Sequence, residues 1–183
     1  MNTRRILSLQ GINYLKNGSA TQKQAYKAII ELNIMNDLSG YNPVLCGTIP
    51  LNINTSTSDL DIILEVHDFN SFEIEVQSLY SDYKSYSMKN YEVRGTPTYK
   101  VNFVCKGFEF ELFAQPVPVH NQHAYQHMII EENIIKQNPR VKGEVLRLKE
   151  QGVKTEPAFC KVLGLKGDPY QGLIEYGKKN NMI

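Results

Sequence analysis

The spacing of apolar residues changes from three-to-four to two and back again along the chain, and those changes mark out its elements. Ile6, Leu9, Ile12 and Leu15 recur at helical spacing up to Asn17-Gly18, an ordinary helix stop. A second helix is predicted from Gln22 to Leu32, capped by Ser19 or Thr21, with Ala25, Ala28, Ile29 and Leu32 on its apolar face. These two helices are expected to cover one face of a sheet. After a turn at Gly40-Tyr41-Asn42-Pro43, Val44, Leu45 and Cys46 form a short apolar strand that stops at Gly47-Thr48. A polar loop follows. Leu60, Ile62, Leu64 and Val66 then alternate with Asp59, Asp61, Ile63 and Glu65, the period of a strand. Asp68 is placed to cap a helix over Phe69 to Tyr80.

From Tyr83 the pattern is that of strands. Tyr83 to Met88 and Tyr91 to Val93 are short aromatic-rich candidates, while Tyr99 to Cys105 and Phe108 to Phe113 are stronger and are joined by Lys106-Gly107, a hairpin turn. Alternation puts Phe108, Phe110 and Leu112 on one face and Glu109, Glu111 and Phe113 on the other. Pro116 and Pro118 end the sheet region. Helices are then expected over His120 to Gln137, Val141 to Glu150, from Thr155 to Leu163 with Pro157 in its first turn, and after Asp168-Pro169. The expected fold is α+β: a mixed sheet flanked by helices over residues 1–119, with a C-terminal helical part over 120–183 packed on it.

Composition narrows the setting. With 183 residues the chain is expected to form one compact domain. Its 42% hydrophobic and 21% charged residues are ordinary for a folded protein. A net charge of +1 gives no strong nucleic-acid signal. Two arginines near the N-terminus precede no long apolar run, so neither a membrane span nor a signal peptide is expected and a cytoplasmic setting is. Cys46, Cys105 and Cys160 are odd in number and set among apolar neighbours, which reads as buried free thiols.

The chemistry is concentrated between Cys46 and Val66. Asp59 and Asp61 share one strand face, and two such carboxylates repel each other unless a cation lies beside them. An oxygen-only pair suits Mg²⁺ (or Mn²⁺), which keeps several waters and shares its shell with substrate phosphates. Gly47-Thr48, the ten residues from Ile49 to Ser58, and then Asp59-Leu60-Asp61 inside a strand resemble the signature of the polymerase-beta-like nucleotidyltransferase superfamily. Over most of its length, through G-T-I-P-L, S-D-L-D-I, F-E-L-F-A-Q, A-Y-Q-H-M, K-T-E-P-A-F and G-D-P-Y, the chain is also similar to a bacterial family of minimal nucleotidyltransferase-like proteins catalogued as a domain of unknown function. The resemblance implies a nucleotidyltransferase-type sheet and a third acid on a later strand. Glu111 is the choice for that acid, because it matches the family's F-E-L-F-type motif, and Glu109 is the alternative. Gly47, Thr48 and Ser58 are the candidate nucleotide-binding residues, Gly47 by allowing close backbone approach and Thr48 through its hydroxyl and N–H.

One departure from the superfamily pattern concerns charge: the loop from Ile49 to Ser58 has no Lys or Arg. Positive charge for a triphosphate must come from elsewhere, with Lys149, Lys154, Arg140, Arg147, Arg94 and Lys100 as unranked candidates. His120, His123 and His127 fall on one face of the expected helix, either as a plain polar face or with His123, His127 or Gln122 lining the nucleotide or acceptor pocket; no Glu or Cys completes a zinc motif. The expected partners are an NTP and an unidentified hydroxyl acceptor. Competing readings are a non-catalytic module, such as an antitoxin or ligand sensor with a protein partner, and a metal-dependent phosphohydrolase.

Overall fold

The computed structural model describes residues 11–183. Ile6 and Leu9 of the first expected helix lie outside them, and the described end of that segment, Asn13–Asn17, is a 3₁₀ turn. Helix α1 spans Ala20–Leu32 and begins in a capping box: Ser19 accepts from the Gln22 amide while the Gln22 side chain accepts from the Ser19 amide. A one-turn helix α2, Ile34–Asp37, follows without an apolar period long enough to announce it. Asp68 caps α3, Phe69–Tyr80, by accepting from the amides of Asn70 and Ser71.

Strands β1 (Val44–Cys46), β2 (Leu60–Glu65), β3 (Lys84–Val93), β4 (Thr96–Cys105) and β5 (Phe108–Gln115) form one mixed sheet in the order β1-β2-β5-β4-β3. The β2–β5 pair is parallel and the other pairs are antiparallel. The two short strands expected over 83–93 are one ten-residue strand. The polar pair Lys89-Asn90 interrupts the apolar period there, but β3 is an edge strand and largely exposed on both faces, so its pattern carries little burial information. Arg94-Gly95, both at positive φ (52° and 76°), make the tight hairpin turn, and β4 therefore starts three residues earlier than expected, at Thr96.

The two sheet faces are covered differently. Leu45, Leu60, Ile62, Leu64, Val101, Phe103, Phe110 and Leu112 pack against α1 and α3 in one continuous core. Phe103 stacks between Phe110 (5.2 Å) and Tyr80 (4.7 Å). Full burial of each such side chain contributes about 1.5–3 kcal/mol. On the other face, Cys46, Ile63 and Phe113 meet the C-terminal helices α4 (His123–Gln137), α5 (Arg140–Glu150), α6 (Thr155–Leu163) and α7 (Pro169–Lys179) through Tyr125, Met128, Val145, Phe159 and Leu173. All three cysteines are free and buried. A 3₁₀ turn, Val119–Asn121, precedes α4, so His120 is not on that helix and the expected three-histidine face is reduced to His123 and His127. Among the described residues no helix is long and apolar enough to cross a membrane.

Candidate active site

The loop leaving β1 is fixed at both ends before it delivers Asp59. Gly47 turns the chain at φ +78°. The Ile53 amide donates to the Thr48 carbonyl (3.1 Å) and the Asn52 amide to Ile49 (3.0 Å), so a tight turn does begin at Thr48. Buried Gln22 reaches from α1 and donates to the Ile49 and Pro50 carbonyls at 2.9 and 3.2 Å. At the far end the Ser58 hydroxyl accepts from the Thr55 amide (2.9 Å) and from the Thr48 hydroxyl (3.1 Å), which clips the two ends of the loop together. Gln22 stands in the sequence only as the start of the second helix; its hold on a loop 27 residues away comes from the fold.

Parallel pairing of β2 with β5 sets Asp61 opposite Glu111. One oxygen from each of Asp59, Asp61 and Glu111 lies within 4.8 Å of the others. Glu109, two residues earlier on the same face, instead accepts from the Asn102 amide group at 3.0 Å. The ladder thus distinguishes the two glutamates that alternation leaves equal. Neither Asp59 nor Asp61 has a side-chain hydrogen bond or ion pair among the described residues. Burial, with the charges of Asp59 and Glu111 beside it, pushes the Asp61 carboxyl up to about 8. A desolvated acid with two further carboxylate oxygens at this spacing fits a hard divalent cation, which would offset the repulsion and take oxygen ligands.

Two lysines act on this cluster, one from the sheet and one from the helices packed on it. Lys100 of β4 pairs with Glu111 at 2.5 Å. Lys149 of α5 donates to the Thr155 hydroxyl at the start of α6 (2.7 Å). Burial draws its ammonium pKa down, against the opposing pull of Glu131, Glu156, Asp59 and Asp61. Arg140, Arg147 and Lys154 are exposed. Arg94 at the hairpin tip donates to His123 Nδ1 (2.5 Å) and lies 5.9 Å from the centre of the Tyr170 ring. His127 is buried, donates from Nε2 to the Tyr170 carbonyl (2.9 Å) and has Nδ1 3.6 Å from Glu156. The Gln122 amide group donates to the Leu64 and Val117 carbonyls, at 2.9 and 3.0 Å. Gln122 and His127 therefore tie backbone segments together rather than line a pocket. Glu131, fully buried on α4 with its carboxyl pKa raised by burial, escaped the sequence reading because it sits inside an apolar helical pattern.

The family described as "Domain of unknown function (DUF4269)" matches residues 27–176. The chain belongs to the DUF4269 family. No curated protein matches it. Among solved structures, the DUF4269 chain is similar to the Cid1 poly(U) polymerase bound to MgGTP, with 14% identity and a TM-score of 0.51 over 69% of this chain and 41% of that one. It is similar also to the GLD-2/RNP-8 complex, with 16% identity and a TM-score of 0.51 over 77% of this chain and 58% of that one. A further Cid1 structure aligns with 81% of the DUF4269 chain at 15% identity and a TM-score of 0.50. At such identities the likeness is one of fold, the mixed sheet flanked by helices that the sequence resemblance implies. The DUF4269 chain spans about two fifths of the Cid1 chain's length.

Proposed function

We propose that this DUF4269 chain is a divalent-cation-dependent nucleotidyltransferase that moves a nucleoside monophosphate from an NTP to a hydroxyl acceptor. The observation that carries the reading is the convergence of Asp59, Asp61 and Glu111 within 4.8 Å on the sheet face that meets the C-terminal helices. These three acids would hold the cation, Mg²⁺ in this reading, which when bound supplies positive charge to the phosphoryl oxygens of an in-line displacement.

The remaining work falls to the chain's own groups. Lys149 on the helical wall supplies the positive charge that the loop from Ile49 to Ser58 lacks, and with the Thr155 hydroxyl bonded to it suits the leaving end of a triphosphate. Gly47 leaves space for the Asp61 carboxylate, and Thr48 with Ser58 holds the loop that positions Asp59. Glu111 stands on the side of the open strands β4 and β3, where an acceptor hydroxyl has access, and can take up its proton. The acceptor oxygen bonds to the α-phosphorus, the bond to the β-phosphate oxygen breaks, and pyrophosphate leaves.

The test uses α-labelled NTPs with Mg²⁺ and cell extract. Wild-type protein should transfer label to a discrete acceptor, and Asp59→Asn with Asp61→Asn should abolish the transfer. Absence of labelling with all four NTPs, together with no rise in Tm on adding Mg²⁺ and NTP, would overturn the proposal. A Tm rise without labelling would instead favour a ligand-sensing module, and release of free nucleotide a phosphohydrolase.

A further inference from the structure

The helical wall covers one half of the acid-bearing face and leaves the other open. Lys149 and Thr155 belong to helices packed over Cys46 of β1 and Ile63 of β2. Beyond Glu111 in the strand order, β4 and β3 present Lys100, Asn102, Ser87, Lys89 and Tyr91 on the same face. The register sets Lys89 directly opposite Lys100. Like charges at such a position repel, and Glu111 offsets only Lys100. Lys89 is exposed and has no acid partner among the described residues. The acids on this stretch are both engaged, Glu111 by Lys100 and Glu109 by Asn102. Tyr91, two residues along from Lys89, is 42% exposed, which is high for a large aromatic on a strand.

In-line displacement fixes what belongs there. The entering oxygen and the leaving pyrophosphate lie on opposite sides of the α-phosphorus. With the triphosphate tail toward Lys149, the acceptor must come from the side of β4 and β3. We propose that the face carrying Lys89, Lys100 and Tyr91 is the acceptor subsite, and that the acceptor is a nucleotide unit. Its phosphate lies between the two lysines, its base stacks on Tyr91, and its sugar hydroxyl reaches Glu111. The hydroxyl gives up its proton toward Glu111, its oxygen bonds to the α-phosphorus, and pyrophosphate carries away the displaced electron pair. This inference rests on the nucleotidyltransferase reading above, from which it takes the direction of attack.

The test measures fluorescence anisotropy of a 5′-labelled decaribonucleotide with Mg²⁺ and no NTP, with AMP as competitor, and records the Tm rise given by Mg²⁺ and NTP in parallel. Lys89→Glu and Tyr91→Ala should each weaken oligonucleotide binding about tenfold while keeping the NTP-dependent Tm rise. Lys89→Gln, milder for the edge strand, should fall between wild type and Lys89→Glu. Displacement by AMP assigns the subsite to free nucleotides; binding that AMP does not displace assigns it to the 3′ end of a strand. Either outcome supports a nucleotide acceptor. Binding equal to wild type in both Lys89→Glu and Tyr91→Ala, or no binding of either probe, overturns the inference. Lys89-dependent binding without any NTP-dependent Tm rise would overturn the parent reading and leave a phosphate-binding face.

Discussion

The Asp61 carboxylate occupies the space that a side chain on Gly47 would need: a Cβ there would lie 2.0 Å from Asp61 Oδ2. Gly47 also sits at φ +78°, where L side chains are strained. Gly47→Ala should therefore do two things at once. It should destabilise the fold by about 1–3 kcal/mol and displace Asp61 enough to reduce the Tm rise given by Mg²⁺ and NTP. Thermal denaturation with and without Mg²⁺ and NTP reads both effects, and an alanine variant with an unchanged ligand response would refute the coupling.

Asp61 gives the metal-free protein an inverted pH dependence. Its folded pKa, about 8, lies above the ordinary value of 3.8. Between those limits the folded chain holds a proton that the unfolded chain has released, so this group's contribution to stability is full below pH 4 and is lost as pH rises toward 8. Urea titrations in EDTA should show that loss, and Asp61→Asn should flatten it. Mg²⁺, by favouring the ionised form, should restore stability at the alkaline end.

Lys149 separates binding from folding. Half-buried and bonded to Thr155, its ammonium has already given up much of its hydration. Lys149→Met should leave unfolding within about 1 kcal/mol of wild type. It should weaken Mg²⁺-NTP binding about 10- to 100-fold, the value of a charge-assisted hydrogen bond of about 1.5–3 kcal/mol. Calorimetric titration with a non-hydrolysable NTP analogue measures the affinity.

Gln22 is the strap of the loop. Gln22→Leu removes two donors to the Ile49 and Pro50 carbonyls and leaves both without that partner. The expected cost is about 1–3 kcal/mol, with faster hydrogen exchange at the Asn52 and Ile53 amides. Unchanged exchange would mean that Thr48 and Ser58 alone hold the loop.

How much of this was legible in the chain differs between its parts. Asp59, Asp61 and Glu111 could be found because strand alternation is strict and the Gly-Thr turn, the loop and the paired acids come in order. Glu109 and Glu111 could not be separated, because alternation gives a face but not a neighbour; only the β2–β5 register sets Asp61 against Glu111. That Lys149, rather than the exposed Arg140 or Arg147, is the half-buried cation of α5 near the acids was not legible for a similar reason. The α5 period places it on a helix, but what that helix faces is decided by Val141 and Val145 packing against the C-terminal core. Strand β3 was divided because an exposed edge has no burial to record in its sequence. His120 lies outside α4 because Val119–Asn121 makes a 3₁₀ turn, too short to leave an apolar period that would set it apart from the helix in the sequence.

The parallel rung between Asp61 and Glu111 joins residues fifty apart in the chain, with α3 and the whole β3–β4 hairpin between them. Antiparallel neighbours can zip from a turn, but this pair forms only after that excursion returns and β5 inserts beside β2. On the proposed function, cation affinity is consequently a property of the finished sheet, absent from any species in which the hairpin has formed but β5 has not docked. Titrating the ion during refolding would act as a clock for that last insertion, and the ion would hold the fold closed by mass action.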